Sequence, residues 1–378
     1  MRILFVTGRL TKCGIGVYTQ RLARELMRMG HDVMVLACPV GDDAADDVRL
    51  KVVRRDAVNG VRGAAWDEVL AFGPEVVHIQ YPSLHGDAFY LYKEVCFRFW
   101  MRLPIVSTFH ERPYKWRSKV LWAASSRVVT VKPVSLRDWG VCFPKRRRLI
   151  TNTSMLPAVC VDDAEREAIK RKYERTHLRQ VENRAAMRRL VVTFGFLTAH
   201  HRTEVLFEIC AASRDDVVVV GQDPDPKQPR LEELKAICTS RGWDAEKVFR
   251  GYLPDEELAS LIVAADALVL PYATGAGDWN TSLHAAQEQG VFALTTINAD
   301  NARRRGMGDL LGGYEKNMNT YYCPIGDLRQ MSWALNTYAG RRCEGARPMR
   351  SWADIAEEHL KVYHEVVRGD RKLGVPAG

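Results

Sequence analysis

No stretch of this sequence is apolar for long enough to cross a bilayer, which excludes a helical membrane span. The opening MRILFVTGRL has too short an apolar run for a secretory leader, and a glycine-bearing loop follows it at once. The nine cysteines are odd in number and none stands close to another, which argues against a disulfide framework and a zinc site and for the cytoplasm. Low-complexity tracts and short-period repeats are missing, so solenoids and arrays are excluded. The spaced three-glycine dinucleotide fingerprint is also missing. The first strand candidate is followed by Gly14-Ile15-Gly16, and no acidic residue stands at the end of the next strand as a ribose ligand should, which disfavours a nicotinamide oxidoreductase. No Asp–x–Asp segment reads as holding a metal–diphosphate, and residues 42–47 (DDAADD) read as an acidic surface loop. No metal and no cofactor are therefore expected.

What is present fits a soluble globular chain. Apolar residues make up 47% and charged residues 27%, which excludes a disordered polyelectrolyte, and 378 residues suit two domains of ordinary size. The net charge of +9 is unevenly spread, with dense Arg and Lys at 145–148 and 166–189. A solvated helix face explains this, as do an anionic membrane surface, a nucleic acid or an acidic substrate.

Strand–turn–helix units recur along the chain. RILFVTG (2–8), HDVMVLA (31–37), PEVVHIQ (74–80), LPIVSTFH (103–110) and SRVVTVK (126–132) are short apolar strand candidates. Between the first two, residues 16–30 show helical spacing that ends at Gly30. A charged helical stretch over 160–189 follows, and the pattern then restarts with RLVVTFG (189–195), DVVVVGQ (216–222), KVFRGYL (247–253), ADALVLPY (265–272) and VFALTT (291–296). Alternating βα units, twice over, predict an α/β chain of two doubly wound domains. Open parallel sheets bind ligands beyond the C-terminal ends of their strands, so the polar residues there are the candidates. They are Lys12–Gly16, His78–Tyr81, His110–Glu111, Thr198–Arg202, Gly221–Asp223 and Gly275–Ser282. The loops around Gly14 and Gly16 and at 275–282 each precede a helix, whose N-terminus favours an anion such as a diphosphate. For Gly14 and Gly16 a tight turn alone is the competing reading.

The order of these parts resembles a GT-B glycosyltransferase of the large retaining family 4 (glycosyltransferase group 1). The matching elements are GIGVYTQRLARELMRMGHDVMVL, VVHIQYP, PIVSTFHE, ITNTSMLP, FGFLTAHHRTEVLFEI, VFRGYLPDEELASLIVAADALVLPY and the closing SWADIAEEHLKVY (351–363). The resemblance implies two Rossmann-like domains facing across a cleft. An acceptor-side domain is expected over 1–170 and a nucleotide-sugar domain over 171–350. A closing helix and tail (351–378) are expected to pack back on the first domain.

The resemblance also implies roles. His110 falls on the family's histidine beside the transferred sugar, with Glu111 and His78 on the acceptor side. The Arg and Lys that stabilise the leaving diphosphate correspond to Phe196 and His201, so Arg202 or a protonated His201 is expected to supply the charge. The two donor-loop carboxylates correspond to Gly277 and Ala285, with Asp278 and Glu288 nearby. Trp279, Asn280, Thr281 and Ser282 fall where backbone amides meet phosphates, and Gly14, Gly16 and Gly221 join them as donor-binding candidates.

The expected activity is transfer of a sugar, with retention, from a nucleotide-diphosphate sugar to an acceptor hydroxyl in polysaccharide, glycolipid or natural-product biosynthesis. Positioning and electrostatics would drive it, with no covalent nucleophile and no metal. RPYKWRSKVLW (112–122) mixes basic and aromatic residues, which suits peripheral contact with an anionic inner leaflet and a lipid-linked glycan acceptor. A soluble small-molecule acceptor suits the sequence equally. Competing readings are a non-catalytic sugar-binding or partner-activating relative and, with less support, a nucleic-acid-modifying transferase. No aromatic-interleaved nucleic-acid motif is visible.

Overall fold

The computed structural model describes residues 1–11, 13–39, 49–56, 64–82, 88–100, 102–111, 116–133, 147–173, 188–222, 230–307, 312–343 and 350–372. Lys12, Asp223, the acidic run 42–47, residues 112–115 and 145–146, and most of the basic stretch 174–187 lie outside the described residues. The chain divides into two units, Met1–Asn152 with Arg350–Gly378, and Thr153–Met349.

In the first unit β1 (Arg2–Thr7), β2 (Asp32–Ala37), β3 (Lys51–Arg54), β4 (Val76–Tyr81), β5 (Ile105–Phe109), β6 (Arg127–Thr130) and β7 (Arg147–Leu149) form one sheet. Its order is β3-β2-β1-β4-β5-β6-β7 and every pairing is parallel. The central strands are continuous apolar runs because both faces are covered, as a parallel sheet requires. Helices α1 (Gly14–Arg28), α2 (Ala64–Phe72), α3 (Ala88–Phe99) and α4 (Trp116–Ala124) supply the cover. α1 buries Tyr18, Leu22, Ala23 and Leu26 and stops where Gly30 takes φ 84 and donates to Met27 O at 3.0 Å. Gly16 has a steric reason of its own: a Cβ there would stand 2.3 Å from Leu10 O.

The second unit begins with α5 (Asp163–Tyr173) and continues β8 (Arg189–Phe194), α6 (Glu204–Ile209), β9 (Asp215–Val220), α7 (Arg230–Ser240), α8 (Ala245–Val248) and α9 (Asp255–Ala264). Then come β10 (Ala267–Leu270), α10 (Thr281–Glu288), β11 (Ala293–Ile297), α11 (Ala299–Arg304), β12 (Gly313–Glu315), β13 (Thr320–Pro324) and α12 (Leu328–Tyr338). The sheet order is β12-β13-β11-β10-β8-β9, with only β12 antiparallel. The chain closes with α13 (Trp352–Lys372), which belongs to the first unit and packs on α1.

Two sheets of the doubly wound type are therefore present, as expected. The strand expected at 247–253 is absent. Asp244 accepts from Glu246 N at 3.1 Å and starts α8 instead, and Phe249 keeps only a single bridge to Val219. The β12–β13 hairpin had no expectation behind it.

At the rim of the second sheet Asp215 is wholly buried, accepting from Arg189 Nε at 2.7 Å and Ala211 N at 2.8 Å. Asp215→Ala would leave both donors unmet and should lower the unit's unfolding free energy by about 3 kcal/mol, read as a shifted urea midpoint.

Candidate functional site

Strand order reverses beside β1 in the first unit and beside β8 in the second, and such reversals open a crevice at the strand ends.

In the first unit the β4–β5 register pairs Gln80 with Thr108. Alternate residues of a strand share a face, so His78 and Gln80 lie beside Thr108 and His110. His110 follows β5, donates its backbone N–H to Tyr81 O at 2.8 Å, and is 9% exposed. Its Nε2 lies 2.8 Å from Gln80 Oε1 and its ring meets Tyr18 edge-on at 4.7 Å. His78 is not at a strand end. It sits within β4, wholly buried, with Nε2 2.7 Å from Thr108 Oγ1 and Nδ1 2.6 Å from Tyr363 Oη on α13. It backs the site rather than lining it. His359, also on α13, lies 5.3 Å from the His78 ring and keeps its Nδ1 on Ile355 O at 2.8 Å. Glu111 is exposed, and Gly14 stands open in the first turn of α1.

Burial holds these imidazoles neutral. The pKa of His110 falls to about 3, first from burial and then from Lys132 and His359. That of His359 falls to about 4, chiefly from burial, and that of His78 lies well below its ordinary value for the same reason.

In the second unit β8 runs into Gly195 and a loop that returns on β10, where Ala273 N donates to His200 O at 2.8 Å. The rings of His200 and His201 lie 5.7 and 5.5 Å from Tyr272. His201 Nδ1 is 3.1 Å from Thr198 Oγ1. Burial, with His200 beside it, pushes its pKa down to about 4 against the opposing pull of the Phe196 carbonyl. Burial therefore works against a charged His201 ring. Arg202 follows it in the same loop. It takes the left-handed φ of 46 and has one ionic partner among the described residues, Glu204 at 3.4 Å, which Arg230 shares. Gly221 meets Gly195: a Cβ at 221 would stand 1.9 Å from Gly195 O.

The donor-loop candidates cluster after β10. Asn280 precedes α10, but its Oδ1 accepts from Gly277 N at 2.8 Å and caps nothing in the helix. Asn280 and Ser282 also bond the Tyr272 hydroxyl, whose pKa burial pushes up to about 12. The first-turn amides of α10, at Thr281 and Ser282, therefore have no side-chain cap. The Trp279 indole lies against Gly277, where a Cβ would come within 2.3 Å of it. Asp278 is paired with Arg305, which also holds Glu315 at 3.2 Å. Ala285 is buried in the apolar core. Glu288 ends the helix, about 10 Å along its axis from the loop. Gln80 and His200 fall inside the candidate stretches 78–81 and 198–202 without a role of their own, and Tyr363, His359 and Tyr272 escaped the sequence reading. For Gln80 the signal was its two-residue spacing from His78.

Among the described residues no group of three or more His, Cys, Asp or Glu side chains is arranged to hold a metal, and no helix is long and apolar enough to cross a membrane.

The family model of glycosyltransferase family 4 matches residues 13–154. No curated protein matches the sequence. Among solved structures, Anabaena Alr3699/HepE in complex with UDP-glucose is similar at 13% identity and a TM-score of 0.68, over 98% of this chain and 100% of that one. The catalytic domain of starch synthase IV from Arabidopsis thaliana, bound to ADP and acarbose, is similar at 14% identity and 0.66, over 97% and 99%. WaaG, a glycosyltransferase involved in lipopolysaccharide biosynthesis, is similar at 14% and 0.58, over 99% of each chain.

Histidines held neutral when folded take up protons on unfolding once pH drops below about 6.5. The stability they leave intact above that value should therefore decline as pH falls from about 6.5 towards the folded values near 4 and 3. Each fully buried ring contributes a slope of about 1.4 kcal/mol per pH unit in that window. Urea midpoints at several pH values check this, and His359→Leu should flatten the slope.

Proposed function

We propose that this chain, with the GT-B fold along its length and the family 4 match over residues 13–154, is a glycosyltransferase that moves a sugar from a nucleotide-diphosphate sugar to an acceptor hydroxyl with retention of anomeric configuration. The observation that carries this reading is the strand-order reversal beside β8, where uncapped α10 amides and the Arg202 guanidinium stand at the strand ends. Unsatisfied N–H groups at a helix start, with a cation in the same crevice, suit a diphosphate. The complexes of the neighbours with UDP-glucose and with ADP support such a donor.

As the glycosidic bond to the leaving nucleoside diphosphate breaks, negative charge gathers on the diphosphate. The α10 amides and Arg202 stabilise it without reorganising. His201, neutral, contributes a ring hydrogen bond rather than charge. The acceptor oxygen attacks from the face the diphosphate leaves, its proton passes to the departing diphosphate oxygen, and no covalent intermediate with the protein is required. His110, neutral through the physiological range, offers Nδ1 as a hydrogen-bond acceptor to a sugar hydroxyl. The chemistry asks for no cofactor beyond the nucleotide-sugar co-substrate.

The acceptor reading rests on the α3–α4 surface. Tyr90, Trp116 and Val120 are about half exposed or more, and Phe97 and Trp100 continue the apolar edge along α3. Arg117 stacks on Phe89 at 4.7 Å, and Lys93 and Lys119 are exposed beside these aromatics. Aromatic rings framed by cations suit the headgroup layer of an anionic membrane, and so a lipid-linked glycan acceptor at the inner leaflet.

A thermal-shift panel of UDP, GDP, ADP and their sugars tests the donor. One nucleotide at a hundred times its Kd should stabilise by about 2.7 kcal/mol, roughly 5–10 °C, and no shift with any of them would refute the reading. Arg202→Ala should lower kcat by about a hundredfold with an unchanged melting temperature. Sedimentation with phosphatidylglycerol vesicles should pull the chain down, and Trp116→Ala with Arg117→Glu should release it. Equal recovery with phosphatidylcholine, or none with either, would point to a soluble acceptor.

A further inference from the structure

The hydrogen-bond chain behind His110 runs through two more side chains and ends on a different part of the sequence. His110 Nε2 lies 2.8 Å from Gln80 Oε1, and Gln80 Nε2 lies 3.4 Å from His78 Nε2. His78 Nδ1 then lies 2.6 Å from Tyr363 Oη. His78, Gln80 and Tyr363 are wholly buried, so no solvent competes for these bonds.

A neutral imidazole has one N–H and one lone pair, so each ring's tautomer limits its neighbour's. With Gln80 Oε1 towards His110, the His110 proton sits on Nε2 and Nδ1 is left as an acceptor. The Gln80 NH2 then faces His78 Nε2, whose single lone pair is shared between that amide at 3.4 Å and the Thr108 hydroxyl at 2.7 Å. The His78 proton is thereby placed on Nδ1, where, among the described residues, the Tyr363 oxygen at 2.6 Å receives it. We infer that Tyr363 on the closing helix and His78 are positioning residues that, through Gln80, fix which nitrogen of His110 carries the proton. This rests on the reading of His110 as a sugar-contacting residue. It gives α13 a part in setting the site's chemistry as well as covering the sheet.

Tyr363→Phe removes one hydroxyl at nearly constant shape. His78 Nδ1–H would lose its buried acceptor, and moving the proton to Nε2 relieves that cost. Two N–H groups would then face one another at Gln80 until its amide turns by half. After that turn the amide NH2 points at His110 Nε2, and the His110 proton moves to Nδ1.

The test reads the ring-nitrogen NMR shifts of His110 in the wild type, Tyr363→Phe and Gln80→Met. The expected result is the Nε2–H form in the wild type, the Nδ1–H form in Tyr363→Phe and a mixture in Gln80→Met. An unchanged His110 tautomer in both variants overturns the inference. In turnover, Tyr363→Phe should lower kcat by about tenfold or more, as a wrong tautomer does at other histidine sites, with donor KM unchanged. In a His110→Ala background the same substitution should have no further effect, and an equal loss there would mark Tyr363 as merely structural and overturn the inference. A wild type that turns over no nucleotide-sugar would refute the proposed function, while the tautomer measurement would still decide the relay.

Discussion

Each sheet begins with a strand from which the chain winds first one way and then the other. That reversal is the constraint on which the rest of the structure depends. Helices on either side of the turning point leave from opposite faces, so the loops after β1 and β4, and after β8 and β10, cannot cover one another. The polar groups at these ends can then remain unpaired without being buried in a helix-covered face. In the second unit the consequence is concrete. Asn280 binds the loop amide of Gly277 instead of capping α10, and the helix start is left to whatever occupies the crevice.

Burial then divides the labour among the basic residues. His78, His110, His201 and His359 are basic by composition, but desolvation outweighs every attraction acting on them and keeps them neutral. Arg202, by contrast, is a third exposed and paired with a carboxylate that Arg230 shares. In the first unit the buried rings are held neutral, and in the second the buried His201 ring precedes the part-exposed Arg202.

The donor loop shows how a sequence can lose an acid without losing its shape. At 277 the Trp279 indole fills the space next to Cα, so any side chain there would displace it. At 285 the position faces the apolar core, where a carboxylate would need a partner that the surrounding aliphatic residues do not offer. Asp278, adjacent in sequence, is bound by Arg305, and Glu288 lies at the far end of α10. What the loop presents is therefore uncapped backbone amides and an aromatic ring beside an already paired Asp278.

Much of the architecture was legible beforehand. Apolar runs bounded by glycine loops marked most parallel strands, because a strand covered on both faces must be apolar throughout. Gly30 marked the end of α1 because a left-handed residue is needed there. The order of the units marked the doubly wound sheets, and the resemblance drew attention to His110 and the 275–282 loop. Local chemistry misled at 247–253, where the cap at Asp244 favours a helical turn that apolar spacing does not reveal. What the sequence by itself determined was most of the central parallel strands, their winding and the loops that end them, since these follow from local periodicity and turn chemistry. Only the tertiary structure decided that Tyr363 stands behind His78, that Trp279 closes over Gly277 and that His201 is uncharged, because these depend on contacts between distant segments and on how much water each group loses when they meet.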